Sequence, residues 1–124
     1  GFSFSCRHRP PPPANRLYEV NGDAEFHRIV SDAQNANMLI VNDLHATWCR
    51  PCLQCAPTLN SWALNDYKTS VIFVKIDVDQ HGELSNQFSI GVLPTFVLFK
   101  HGKEISRVTG ADLGELRRTI EKFK

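Results

Sequence analysis

The amino-acid sequence predicts an α/β domain, a three-layer α/β/α sandwich around a central mixed β-sheet. Two observations carry that expectation. Residues 38–41 (Met-Leu-Ile-Val), 71–74 (Val-Ile-Phe-Val) and 96–99 (Phe-Val-Leu-Phe) are continuous apolar runs, the pattern of strands covered on both faces rather than on one. Stretches with helical apolar spacing precede and follow them, so helices are required on both sides of the sheet.

Taken in order, residues 17–20 (Leu-Tyr-Glu-Val) form a short strand candidate. Asn21-Gly22-Asp23 then supplies cap chemistry for a helix whose stripe is Phe26, Ile29, Val30 and Ala33, expected to end near residues 35–37. After the strand at 38–41, residues 49–66 read as a helix interrupted at Pro57, which lacks an N–H and kinks a helix without ending it. Leu59, Trp62 and Ala63 continue its buried stripe. The strand at 71–74 leads through a short helix to the strand at 96–99. His101-Gly102 is a hairpin turn into a strand at 105–108, and Asp112 with Glu115 makes a capping-box-like start for a last helix with Leu113, Leu116, Ile120 and Phe123 on its apolar face. The first three strands are thus joined by helical crossovers and the last two by a hairpin.

The 124 residues suffice for one domain with a hydrophobic core, and no internal repeat divides them. Residues 1–16 stand apart as a flexible arm, with the domain spanning 17–124. The arm holds Arg7, Arg9 and Arg16, no acid, and Pro10 to Pro13, which favour an extended polyproline path. Arg7, Pro10 and Pro13 also match an Arg-x-x-Pro-x-x-Pro ligand pattern, against the simpler reading of a spacer. Cys6 in the arm reads as exposed and incidental, with an intermolecular disulfide as the alternative. The net charge of +1 hides a remainder of 11 basic and 13 acidic residues, so no basic face for nucleic acid is expected. Apolar runs fall far short of the roughly 20 residues that span a bilayer, and no membrane association is expected.

Chemistry concentrates in Trp48-Cys49-Arg50-Pro51-Cys52, placed after an apolar strand and at the head of a helix. Two cysteines two residues apart, with Pro51 stiffening the turn, can pass between dithiol and disulfide without large backbone movement. The pair therefore reads as a redox centre. Cys49, at the helix start, is expected to face solvent and unpaired N–H groups that favour its thiolate, making it the attacking nucleophile. Cys52, one turn deeper, is expected to be more buried and to resolve the mixed disulfide. Asp43 lies on an apolar strand, where desolvation should raise its pKa and suit it to accept the Cys52 proton; a plain structural contact is the alternative.

Over residues 17–124 the chain resembles the thioredoxin family. The resemblance rests on Asp43 ahead of the Trp48–Cys52 box, Pro57 at the kink position, Lys75 and Asp77 on the next strand, Leu93-Pro94-Thr95 at the cis-proline loop, and Gly102 and Gly110-Ala111 further on. It implies a thioredoxin fold, Lys75 as the partner of Asp43, a cis bond before Pro94, and an apolar substrate rim of Trp48, Val92, Leu93, Pro94 and Ala111. It further implies a protein-disulfide reductase that is itself re-reduced by a flavin- and NADPH-dependent thioredoxin reductase, acting on client proteins such as peroxiredoxins or ribonucleotide reductase. The domain shows no nucleotide-binding fingerprint, and neither a bound cofactor nor a metal is expected. A monomer is expected, in the cytoplasm, with the mitochondrion or another organelle as the alternative given the Arg- and Ser-bearing arm.

Three residues depart from the family pattern. Arg50 stands where Gly is common, and its charge should favour the Cys49 thiolate and make the couple slightly more oxidising. His45 replaces an aromatic residue and either packs in its slot or titrates and tunes the site. Cys55 takes an aliphatic position and reads as a small buried hydrophobe. Two rival functions compete: an iron–sulfur or zinc-binding module using Cys49, Cys52 and Cys55, which lacks a fourth cysteine at the needed spacing, and a thioredoxin-fold interaction module whose redox activity is secondary.

Overall fold

Seven consecutive buried residues in one strand set the architecture: Leu39–His45 is covered on both faces along its whole length and lies at the centre of a five-stranded sheet. The computed structural model describes residues 17–32, 35 and 37–124. The expectations for the arm, with Cys6 and the Arg7-x-x-Pro10-x-x-Pro13 pattern, and for Ala33 lie outside the described residues.

The elements run β1 (Leu17–Glu19), α1 (Asp23–Ser31), β2 (Leu39–His45), α2 (Arg50–Ser61), a π-helical segment (Trp62–Asp66), β3 (Val71–Asp77), α3 (Gly82–Gln87), β4 (Thr95–Lys100), β5 (Lys103–Thr109) and α4 (Leu113–Phe123). The sheet order is β1-β3-β2-β4-β5, with β1, β3 and β2 mutually parallel and β4 and β5 added antiparallel. This is the expected mixed sheet. Its two faces are separate cores. Leu39, Val41, Phe73, Phe96 and Leu98 meet Cys55, Leu59, Trp62, Leu116 and Ile120 of α2, the π segment and α4 on one side. Ile40, Leu44, Ile72, Val74 and Val97 meet Phe26, Ile29, Val30, Leu84 and Phe88 on the side of α1 and α3. The period-2 alternation of strand side chains produces this division.

Helix boundaries differ from the sequence reading in three places. Helix α1 stops at Ser31, because Asp32 is already extended (ψ 130°), so the expected end near residues 35–37 is too late. Its start uses no side-chain cap; Gly22 at φ 117° makes the turn, and Glu25 accepts the Asn21 N–H at 2.6 Å. The second helix continues through Pro57, which as expected does not end it, but closes at Ser61 rather than running on as α-helix to residue 66. The interruption comes later, where Tyr67 N–H donates to Trp62 O at 2.7 Å, a five-residue turn that re-phases the chain and delivers Tyr67 into the core. The last hairpin and helix agree closely with expectation. His101 (φ 56°) and Gly102 (φ 77°) form a two-residue turn of the hairpin type, and Asp112 caps α4 by accepting the Glu115 N–H at 2.9 Å. Glu115 does not close the capping box; its carboxylate holds Arg118 instead.

Candidate active site

Along β2 the residues that share a face with Leu39 and Val41 change from apolar to polar at Asp43 and His45, and β3 does the same at Lys75 and Asp77. Parallel register pairs Asp43 with Lys75 and His45 with Asp77. The buried apolar layer thus ends in a polar patch at the carboxyl edge of the parallel strands, beneath the start of α2. A tight turn, Cys49 N–H to Ala46 O at 3.2 Å, brings the chain from β2 into that helix.

Cys49 is the N-cap of α2, and its Sγ accepts the Cys52 N–H at 3.2 Å. Pro51 occupies the first turn, where its missing N–H costs nothing. Cys49 and Cys52 are joined in a disulfide with Cα atoms 5.3 Å apart. In this disulfide form Cys49 is 4% exposed and Cys52 7%, so residue burial does not separate the two. In the oxidised pair both are packed with Ala46, Val78 and Leu93. What distinguishes them is the space each borders. Cys49 lines an open groove of about 390 Å³ with Trp48, Arg50, Pro51, Val78, Ser85, Ile90, Gly91 and Leu93. Cys52 lines a smaller cavity of about 100 Å³ with Asp43, His45 and Lys75.

Asp43 is 5% exposed, and burial raises its pKa to about 7 against the opposing charge of Lys75. Its Oδ1 has no hydrogen-bond partner among the described residues. The expected pairing with Lys75 takes the form of register and charge, not of an ion pair within 4.0 Å among the described residues, since the half-buried Lys75 lies beside the carboxylate on the neighbouring strand. His45 is buried, its Nε2 likewise without a partner. Burial first, then Lys75, hold its pKa below the ordinary value, while Asp77 and Glu19 oppose them.

Pro94 follows a cis peptide bond, as expected, and is buried. Thr95 Oγ1 donates to Val92 O at 2.6 Å and Gly110 N–H to Pro94 O at 2.8 Å, which hold this loop against the end of β5. Of the expected rim, Trp48 and Leu93 line the groove beside Cys49; Val92 and Ala111 are exposed but do not line it, and Pro94 is buried. Arg50 is exposed and lines the same groove. Sequence reasoning missed Asp79 and the groove residues Val78, Ser85, Ile90 and Gly91. Asp79 accepts the Trp48 indole N–H at 2.7 Å and so orients a ring that is 69% exposed; 31 residues separate the two, and no local pattern signals the contact. Ser85, Ile90 and Gly91, from α3 and the loop after it, form the far wall of the groove.

Cys55 is buried in the α2 core as a free thiol, its pKa raised by burial and by Asp43. It faces the hydrophobic layer rather than the disulfide, and no group of three His, Cys, Asp or Glu side chains among the described residues is placed to hold a metal. The metal-module alternative therefore has no support, and no helix among the described residues is long and apolar enough to cross a membrane.

A mixed sheet carrying a Cys-x-x-Cys disulfide at the N-terminus of the helix after β2, with a cis-proline loop beside it, defines a dithiol–disulfide oxidoreductase. The family model described as Thioredoxin matches residues 18–122, and the chain belongs to the thioredoxin family. Thioredoxin H2-2 of Oryza sativa subsp. japonica is 39% identical, the alignment covering 99% of this chain and 95% of that protein. Thioredoxin H2 of Arabidopsis thaliana is 34% identical over 89% of this chain and 81% of its own length. The crystal structure of thioredoxin NaTrxh from Nicotiana alata superposes with a TM-score of 0.79 at 36% identity, covering 94% of this chain and 97% of that one. The chain is a protein-disulfide oxidoreductase, and the interaction-module alternative is not supported.

Proposed function

We propose that this oxidoreductase reduces protein disulfides through a mixed disulfide on Cys49 that Cys52 resolves. The observation that carries the division of labour is the difference in surroundings: Cys49 borders the open groove and Cys52 the small polar cavity. The Cys49 thiolate attacks a client disulfide, one client sulfur leaving as thiolate, and the helix N-terminus that directs the Cys52 N–H at Cys49 Sγ favours that anion. Asp43, with a pKa near neutrality, takes the proton from Cys52. Cys52 Sγ then attacks Cys49 Sγ, the Cys49–client bond breaks, and the second client sulfur departs; two electrons pass to the client as the pair closes to the disulfide.

The groove wall of Trp48, Leu93, Val78 and Ile90 suits an extended apolar client segment, and the exposed Val92 and Ala111, outside the groove, are read as further client contacts. Family membership implies re-reduction by a thioredoxin reductase and disulfide-bearing targets in general. The finer reading is a monomer in a reducing compartment such as the cytoplasm, with clients of the peroxiredoxin or ribonucleotide-reductase kind.

Insulin reduction driven by dithiothreitol tests the activity: the wild-type chain accelerates insulin-chain precipitation, and Cys49→Ser abolishes the acceleration. Cys52→Ser is expected to accumulate a Cys49 mixed disulfide visible by mass on non-reducing gels. An adduct on Cys52 in a Cys49→Ser chain, with none on Cys49 in the Cys52→Ser chain, would reverse the assignment.

A further inference from the structure

Two buried polar atoms without partners among the described residues, Asp43 Oδ1 and His45 Nε2, belong to side chains that line one cavity with Cys52 and Lys75. They stand two residues apart on β2, so both project from the same face of the sheet. The cavity, at about 100 Å³, has room for a few water molecules, and orphaned polar atoms around such a space are what buried water satisfies. Cys52 borders this space, whereas the open groove is bordered by Cys49.

We propose that His45 is a positioning residue for the resolving step: it orders, with Asp43, the water through which the Cys52 proton leaves the buried site. The proposal rests on the reading of Asp43 as the proton acceptor. In the step, Cys52 gives up its thiol proton to the Asp43 carboxylate. Water in the cavity transfers that proton to the unprotonated Nε2 of His45, which hands it back to cavity water on its way to solvent and returns to the neutral imidazole. No electrons move in the relay; the disulfide exchange that follows oxidises the dithiol and reduces the client disulfide. A neutral imidazole at working pH is what the relay needs, and burial with the Lys75 charge favours it. The charged and titratable groups that face His45 are Asp43 on its own strand, Lys75 and Asp77 on β3, Glu19 on β1 and Cys52 on α2.

The test is the release of thionitrobenzoate from its Cys49 mixed disulfide, followed by stopped flow from pH 5 to 9 in a Cys6→Ser background. The relay predicts an acid limb with two ionisations in the wild-type sequence. It predicts one ionisation, with a rate at pH 7 lower by about 3- to 10-fold, in both His45→Gln and His45→Phe. Replacing His45 in an Asp43→Asn background should then change nothing further. A His45→Phe chain that keeps the wild-type rate and profile would show that the ring only fills space, and the relay would be overturned. An Asp43→Asn chain with an unaltered profile would instead overturn the reading of Asp43. Nitrogen NMR of His45 in the reduced wild-type protein needs no variant to fold: a two-step titration that follows Asp43 supports the coupling, and a single independent step refutes it.

Discussion

Two ionisable groups flank the disulfide, and they act on different properties. Arg50, exposed at the groove, stabilises whichever state carries negative charge on Cys49, which is the reduced one. A unit charge at about 6 Å in water contributes ~0.7 kcal/mol, which for a two-electron couple is on the order of 15 mV. Arg50→Gly should therefore lower the reduction potential by about that much, measured by equilibration with glutathione. Asp43 acts from below, and its effect is on stability. A carboxyl raised to about 7 from an ordinary 3.8 binds its proton more tightly folded than unfolded. The native state is then unpenalised below the unfolded value and progressively destabilised as pH rises to and through 7. Asp43→Asn should accordingly raise stability at pH 8 by roughly 2–4 kcal/mol and leave it nearly unchanged at pH 3.5, read from urea unfolding. His45 contributes with the opposite sign: its lowered pKa withdraws stability as pH falls below about 6.5.

Helix ends decide how the elements seat. The Asp112 cap is a local contact over three residues, visible from the sequence because short polar side chains at that position satisfy an otherwise free N–H. Asp112→Ala should cost about 1 kcal/mol by urea denaturation without altering disulfide reduction. Other ends were not legible. Helix α1 breaks at Asp32 although its apolar stripe suggests continuation, since periodicity reports which face is buried and not where the backbone turns. Pro57 and the π segment make the same point. Proline's missing N–H is a local fact, but the actual irregularity occurs where Tyr67 must reach the core and place its hydroxyl 2.6 Å from Glu121 of α4, a demand made by a residue 54 positions away.

The molecule as a whole places the site where its two cores converge on one strand. Because Cys55 sits in the layer between α2, the sheet and α4, its exposure requires that layer to open. Its alkylation by iodoacetamide in the native reduced protein should track global unfolding, slow in buffer and fast above the urea midpoint, followed by mass spectrometry. Continuous apolar runs and helical apolar spacing in the sequence determined the sheet, the helices flanking it and the redox pair, because run length, periodicity and Cys-x-x-Cys spacing are short-range properties. Only the tertiary structure decided the strand order β1-β3-β2-β4-β5, the Trp48–Asp79 contact, and which space each active sulfur borders. Those depend on how segments tens of residues apart approach one another. For the same reason equal burial of Cys49 and Cys52 could not be read from their order along the chain: a helix start exposes a side chain only until Val78 and Leu93, from other elements, close over it.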